Sequence, residues 1–153
     1  MKRLIDVLKG QRYEKDFDVY GANIKLQSLW KNEETLIYAR FQGYDFLSQM
    51  ELAKVPILAK AVVSIENVAI SAYPEIRDIM QKDKGKDISA AMEEFLGNLD
   101  AGVVDYLYKL YMQLKDEREK ERLSNSNFSQ EQKVEPSTIS ANSLDVGPKN
   151  LKA

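Results

Sequence analysis

The sequence predicts a mainly helical α+β fold, in which a helical domain carries a small N-terminal β-hairpin and a disordered or extended C-terminal tail. Apolar residues recur with the period of a helix between residues 103 and 114. Residues 24–27 instead alternate between apolar and polar, which is typical of a half-buried strand. Past Leu123 neither period continues. We therefore expect a mainly helical globular domain over residues 1–123 and a flexible polar tail over residues 124–153.

The N-terminal part begins with a short amphipathic pattern and continues with a hairpin. Gly10 can end a first helix whose apolar face is formed by four residues, Met1, Leu4, Ile5 and Leu8. This helix either packs on its own domain or acts as an arm that docks on a partner. Two strands are then expected, over residues 17–20 and 24–29. The turn between them is predicted at residues 21–23, because Gly and Asn tolerate the positive φ of tight turns.

A long helix is predicted to follow the hairpin, from the N-cap Asn32 to Pro56. Acidic residues in its first turn suit the helix dipole. Gly43 softens its middle. Proline lacks an amide hydrogen and clashes with the preceding turn, so Pro56 is expected to stop or kink this helix and to start a new one over residues 57–65. The helical period includes the apolar residues Leu36, Ile37, Phe41, Tyr44, Leu47 and Met50.

Residues 61–72 are ambiguous between helix and strand. Their β-branched residues favour a strand, or a hairpin that turns at Glu66-Asn67, whereas the proline upstream favours a helix. We predict that the helix continues to Ile65 and that a short extended segment follows over residues 68–71. The choice between helix, strand and hairpin stays open from the sequence.

Three further helices are predicted in the second half of the chain. Tyr73-Pro74 opens one over residues 75–81, and Asp87 caps another over residues 88–96. Asp100 is expected to cap the last and longest helix, which ends in a run of charged residues. Its buried stripe consists of Val104, Leu107, Leu110, Tyr111 and Leu114.

Composition excludes several classes of function. The formal charge is only −2, with 22 basic and 24 acidic residues, so no basic excess points to nucleic acid. The chain contains neither cysteine nor histidine, which removes disulfides, thiolate nucleophiles and imidazole chemistry. No segment has the run of roughly 18 apolar residues that a membrane span needs. We expect a cytoplasmic, non-enzymatic protein with no cofactor and no catalytic or metal-binding residue.

Two loop motifs resemble ligand sites but lack essential residues. Asp16 and Asp18 open like a calcium loop, yet Gln27 stands where the bidentate glutamate belongs, so a hairpin is expected instead. Residues 97–102 have the glycine spacing of a phosphate loop, but valines occupy the positions of its lysine and hydroxyl residue. Glu93-Glu94 are neighbours on a helix and cannot share one site.

Tyrosines and the C-terminal tail are the predicted contacts for a partner protein. Tyr106 and Tyr108 flank the buried stripe of the last helix on opposite sides, where they either form interface contacts or pack at the edge of the core. The polar tail cannot bury enough apolar surface to order by itself. It is either a loose terminus or a segment laid across a partner through five scattered apolar residues, Val134, Ile139, Leu144, Val146 and Leu151.

The order of these segments resembles the small tail-assembly and baseplate proteins of tailed bacteriophages, including tail assembly chaperones and baseplate hub assembly proteins of contractile-tailed phages. The likeness covers about Gly21 to Arg122. It rests on the segments Gly21-Ala22-Asn23-Ile24-Lys25-Leu26, Asn32-Glu33-Glu34, Ala61 to Val68 and Val103 to Tyr111. The resemblance implies a non-enzymatic protein that binds other phage tail or baseplate proteins in the host cytoplasm during assembly. The resemblance leaves open whether the protein remains in the virion and whether it self-associates.

Two alternatives have other requirements. A nucleic-acid-binding accessory factor would need a basic patch formed by Lys82, Lys84 and Lys86. A small carboxylate-dependent hydrolase would need two acidic groups that converge in one pocket.

Overall fold

The computed structural model describes residues 12–125, apart from the side chains at positions 122, 124 and 125. Within this range the protein is mainly helical, with a small antiparallel sheet near its N-terminal end. This confirms the predicted fold class. The predicted N-terminal helix lies outside the described residues, as does the tail beyond residue 125. A compact unit extends to Asp116, and the described residues of a second unit, 117–125, belong to the end of the last helix.

Four antiparallel strands form the sheet in the order β1-β2-β3-β4: β1 Glu14–Val19, β2 Ala22–Gln27, β3 Val62–Ile65 and β4 Val68–Ala69. The predicted N-terminal hairpin is confirmed, but its turn is Tyr20-Gly21 and not residues 21–23. Both turn residues have positive φ, 53° at Tyr20 and 90° at Gly21. A two-residue turn of this kind matches the right-handed twist of the paired strands.

A second hairpin corrects the prediction for residues 61–72. The chain is extended from Val62, so the predicted helix to Ile65 is wrong, and the alternative with a turn at Glu66-Asn67 is what forms. Strand β2 gives this segment a pairing partner, with Ile24 opposite Ile65. Pairing across 41 positions of sequence, together with the strand preference of the β-branched residues, therefore prevails over the helix expected from the upstream proline. After β4 the chain forms a 3-10 turn, Ile70–Ala72.

The predicted long helix is two helices, α1 Lys31–Ala39 and α2 Phe46–Ala61. Trp30, rather than Asn32, is the N-cap of α1. The backbone N–H of Trp30 donates a 2.8 Å hydrogen bond to the Glu33 carboxylate. Pro56 neither ends a helix nor begins one, because α2 runs through it to Ala61. A proline inside a helix costs about 3 kcal/mol. The burial of Pro56 with its neighbours Ile57 and Leu58 offsets that cost.

The remaining helices agree with the predictions: α3 Pro74–Lys82, α4 Ile88–Gly97 and α5 Ala101–Asn125. The Asp87 side chain accepts a 2.8 Å hydrogen bond from the N–H of Ala90, as expected for the cap of α4. Asp100 caps α5 in the same way through the N–H of Gly102, at 3.2 Å.

The core is one apolar cluster between the sheet and the helices. All five residues of the predicted α5 stripe are buried in it, which confirms that prediction. Helix α4 contacts both α2 and α3. Among the helices of residues 12–125, none combines the length and hydropathy that a membrane crossing requires. Other fully buried members of the cluster include Leu26, Ile57, Leu58, Ile76, Met92 and Leu96.

Candidate protein-binding surface

Large apolar side chains reach solvent at the start of α2. Phe46 is 71% exposed and Leu47 is 75% exposed, and both Tyr44 and Met50 are also exposed. Met50 lies four residues after Phe46 and three after Leu47, so the three side chains are neighbours on the helix surface. We call Tyr44, Phe46, Leu47 and Met50 the α2 apolar surface.

Specific hydrogen bonds hold the backbone beneath this surface. The Asp45 carboxylate caps α2 by accepting from the backbone N–H of Ser48 at 2.9 Å and from the Ser48 hydroxyl at 3.2 Å. These bonds lower the pKa of Asp45, because they favour its charged form. Gln49 Nε2 donates to the backbone oxygen of Tyr44 at 2.8 Å. A helix start fixed in this way holds the backbone beneath its apolar side chains in place, so a partner does not have to order that backbone.

Charge is nearly absent from the α2 apolar surface. Residues 41–50 contain one charged side chain, Asp45, which is occupied as the helix cap. The charges on either side are paired. Arg40 lies 2.9 Å from Glu93, and Lys54 lies 3.0 Å from Asp105. A complementary partner surface is therefore apolar and needs no matching charge.

Tyr106 and Tyr108 are each half-buried against a different part of the domain. The ring of Tyr106 lies 5.6 Å from the ring of Tyr20, at the β1–β2 turn. Tyr108 lies with its ring 6.1 Å from that of Tyr111, and Lys54 Nζ is 5.7 Å from the Tyr108 ring centroid. Burial and a hydrogen bond with Tyr38 raise the pKa of Tyr108. The structure thus separates the two tyrosines, and their partner-binding role stays a prediction.

The tail residues predicted to contact a partner lie outside the described residues: Val134, Ile139, Leu144, Val146 and Leu151. Their role also stays a prediction.

Sequence reasoning missed the α2 apolar surface because it read residues 32–56 as one helix. On that reading Tyr44, Leu47 and Met50 share a helical period with the buried Ile37. The chain instead leaves the helix at residues 40–45 and starts again, which turns these side chains outward. Asp45, with Ser48 three residues later, is a sequence signal for a new N-cap that could have revealed the break.

Three of the acidic and basic groups considered for other functions, Glu93, Glu94 and Lys86, are engaged in ion pairs. Lys86 Nζ lies 2.8 Å from Glu94 and 3.8 Å from Asp83, so this lysine of the 82–86 loop has acidic neighbours. Residues 16–27 form the paired strands of the hairpin, with Asp16 opposite Lys25. Across residues 12–125 no group of three or more acidic, histidine or cysteine side chains is placed to hold a metal ion.

Glu33 and Glu34, adjacent at the start of α1, each hold a cation. Arg12 binds Glu33 through two hydrogen bonds of 2.8 Å, which lower the pKa of Glu33. Lys115 Nζ lies 3.0 Å from Glu34. These carboxylates join α1 to the residues around it, which is a structural role.

Comparisons with models of protein families, with curated proteins and with solved structures found no significant match to this chain.

Proposed function

We propose that this protein is a non-enzymatic assembly protein that binds another protein through the α2 apolar surface. One observation carries the proposal: large apolar side chains are exposed on a helix start that is capped, hydrogen-bonded and almost free of charge. Clustered apolar exposure of this kind marks sites of protein association, since it gains free energy only when a partner removes it from water.

The proposed partners are other tail or baseplate proteins of a tailed bacteriophage. This part of the proposal rests on the resemblance in the order of segments between about Gly21 and Arg122. The same resemblance implies that the protein acts in the host cytoplasm during assembly. The α2 apolar surface would then bind an apolar face of a tail or baseplate subunit. Residues 41–50 contain no charged side chain other than the helix cap Asp45, so a charged partner surface would find no matching charge there.

The experiment is capture of full-length protein and its variants from infected host cells, read by quantitative mass spectrometry. The test variant is the double substitution Phe46→Ser and Leu47→Ser. The matched control is Met112→Ser, which changes an exposed apolar side chain on α5. We expect both wild type and control to recover the same tail or baseplate protein. The double variant should recover at least about tenfold less, since interface hot spots contribute more than about 1 kcal/mol each.

The possible contrary results separate the parts of the proposal. Equal recovery by the double variant would remove the α2 apolar surface as the binding site. Recovery of a single defined partner outside the tail and baseplate classes would keep the surface and overturn the phage assignment. Recovery of nucleic acid, lost steeply as salt is raised, would favour the nucleic-acid-binding alternative.

A further inference from the structure

A cavity of about 180 Å³ lies between the sheet and helices α4 and α5. The sheet contributes Ile24 and Val62, α4 contributes Met92, and α5 contributes Val103 and Leu107. None of the lining side chains is charged, and Tyr20 is the only one with a hydroxyl group. The space is partly open to solvent, so it is a pocket that a ligand can enter and not a sealed void.

The cavity reaches the surface at the β1–β2 turn. Tyr20 lines it and is 75% exposed, and its ring lies 5.6 Å from that of Tyr106. Phe95 and Val103, which also line it, are half-buried, whereas the lining residue Leu107 is buried. A ligand therefore has an entrance beside the two tyrosines and an apolar interior beyond them.

Size and lining define the chemical class of that ligand. An apolar cavity of about 150 Å³ stays dry and takes up benzene. At about 180 Å³ this cavity accommodates one uncharged six-membered aromatic ring. A charged or strongly polar group would lose its hydration there without gaining a partner among the lining side chains.

We propose that this cavity is a binding site for a small, uncharged aromatic molecule that enters beside Tyr20 and Tyr106. Tyr20 is held at positive φ by the two-residue turn, so the backbone places its ring at the entrance. The aromatic rings of Tyr20 and Phe95 offer edge and face contacts to a bound ring. This site is independent of the α2 apolar surface.

The test is a titration of the methyl-labelled full chain with benzene, followed by NMR. We expect saturable shifts of the Ile24, Val62 and Val103 methyl groups and none at Leu47, which is exposed on α2. Benzoate, with the same ring and a charge, should leave all four unchanged. Filling the cavity with Val103→Phe should weaken benzene binding at least tenfold.

A second variant keeps the proposal falsifiable if Val103→Phe does not fold. Tyr20→Asn removes the ring at the entrance and suits positive φ, so it should retain the fold and speed benzene exchange. The proposal is overturned if the lining methyl groups stay unchanged up to the solubility of benzene, or shift no more than Leu47. It is also overturned if they shift with protein concentration alone, because a second copy would then occupy the cavity.

Discussion

At the scale of single residues, Tyr111 joins the core to a polar contact. Its side chain is fully buried in the α5 stripe, and its hydroxyl donates a 2.5 Å hydrogen bond to Glu34 Oε2 in the first turn of α1. Lys115 Nζ lies 3.0 Å from the same carboxylate. A carboxylate acceptor strengthens the hydrogen bond, and Lys115 forms an ion pair with the same carboxylate. Tyr111 therefore connects α5 to α1 through both its buried ring and its hydrogen bond to Glu34.

Tyr111→Phe tests that contact. Removal of the hydroxyl leaves the ring buried and removes one of the two donors to Glu34, while Lys115 remains, so the free energy of unfolding should fall by about 1–3 kcal/mol. Urea unfolding followed by circular dichroism measures it. Tyr44→Phe is the control, because Tyr44 is exposed and should change stability by less than about 0.5 kcal/mol. Equal effects of the two substitutions would show that the Glu34 contact adds no stability.

Alkaline pH should destabilise the protein through the same residue. Burial, followed by the hydrogen bond to Glu34, raises the pKa of Tyr111 above its ordinary value. The unfolded chain then loses this proton at about pH 10, while the folded chain keeps it. Stability is present in full below that pH and falls as the pH rises through it. Urea midpoints measured from neutral to alkaline pH should fall less steeply for Tyr111→Phe, and parallel curves would contradict the assignment.

At the scale of elements, two hairpins with positive φ in their turns set the geometry of the sheet. Tyr20-Gly21 and Glu66-Asn67 are the turn residues. The second turn is also bonded to the start of β2, since Glu66 Oε2 accepts a 3.0 Å hydrogen bond from the N–H of Asn23. The backbone N–H of Glu66 in turn donates to the Asn23 carbonyl at 2.7 Å. This pairing aligns β2 and β3 beside the cavity.

Gly21→Ala should destabilise the first hairpin. No atom lies within 4 Å of an added Cβ, so the effect comes from the φ of +90° alone and should be about 1–2 kcal/mol. Gly97→Ala is the matched control. Space is also free there, but the residue ends helix α4, where alanine is favoured, so it should be neutral or stabilising. Thermal melts of both variants measure the difference, and similar melting temperatures would contradict the strain argument.

Sequence reasoning succeeded where local chemistry decides the structure. Asp87 and Asp100 mark their helix starts by their own side chains, and the α5 stripe follows from spacing alone. It failed where distant parts of the chain decide. Strand β3 depends on β2 as its partner, and Pro56 stays inside α2 because the core buries it. Sequence reasoning did not predict the break between α1 and α2. For that reason it also did not predict that the α2 apolar surface is exposed.

At the scale of the whole molecule, one group of apolar side chains forms the core and another group is exposed to solvent. The core cluster joins the sheet to all five helices of the described chain, whereas Phe46 and Leu47 contribute little to it. Replacing both by serine should therefore change the free energy of unfolding by less than about 1 kcal/mol, because each surface substitution stays within about 0.5 kcal/mol. Urea unfolding checks this, and a larger loss would mean that these side chains stabilise the fold itself.

The most direct measurement is site-specific photocrosslinking during infection, with a benzophenone side chain in place of Leu47 and, in a parallel strain, in place of Met112. Both positions are exposed, but only Leu47 belongs to the α2 apolar surface. We expect a single defined adduct with a tail or baseplate protein from position 47 and none from position 112. No adduct from position 47, or the same adducts from both positions, would contradict the claim that this surface binds the partner.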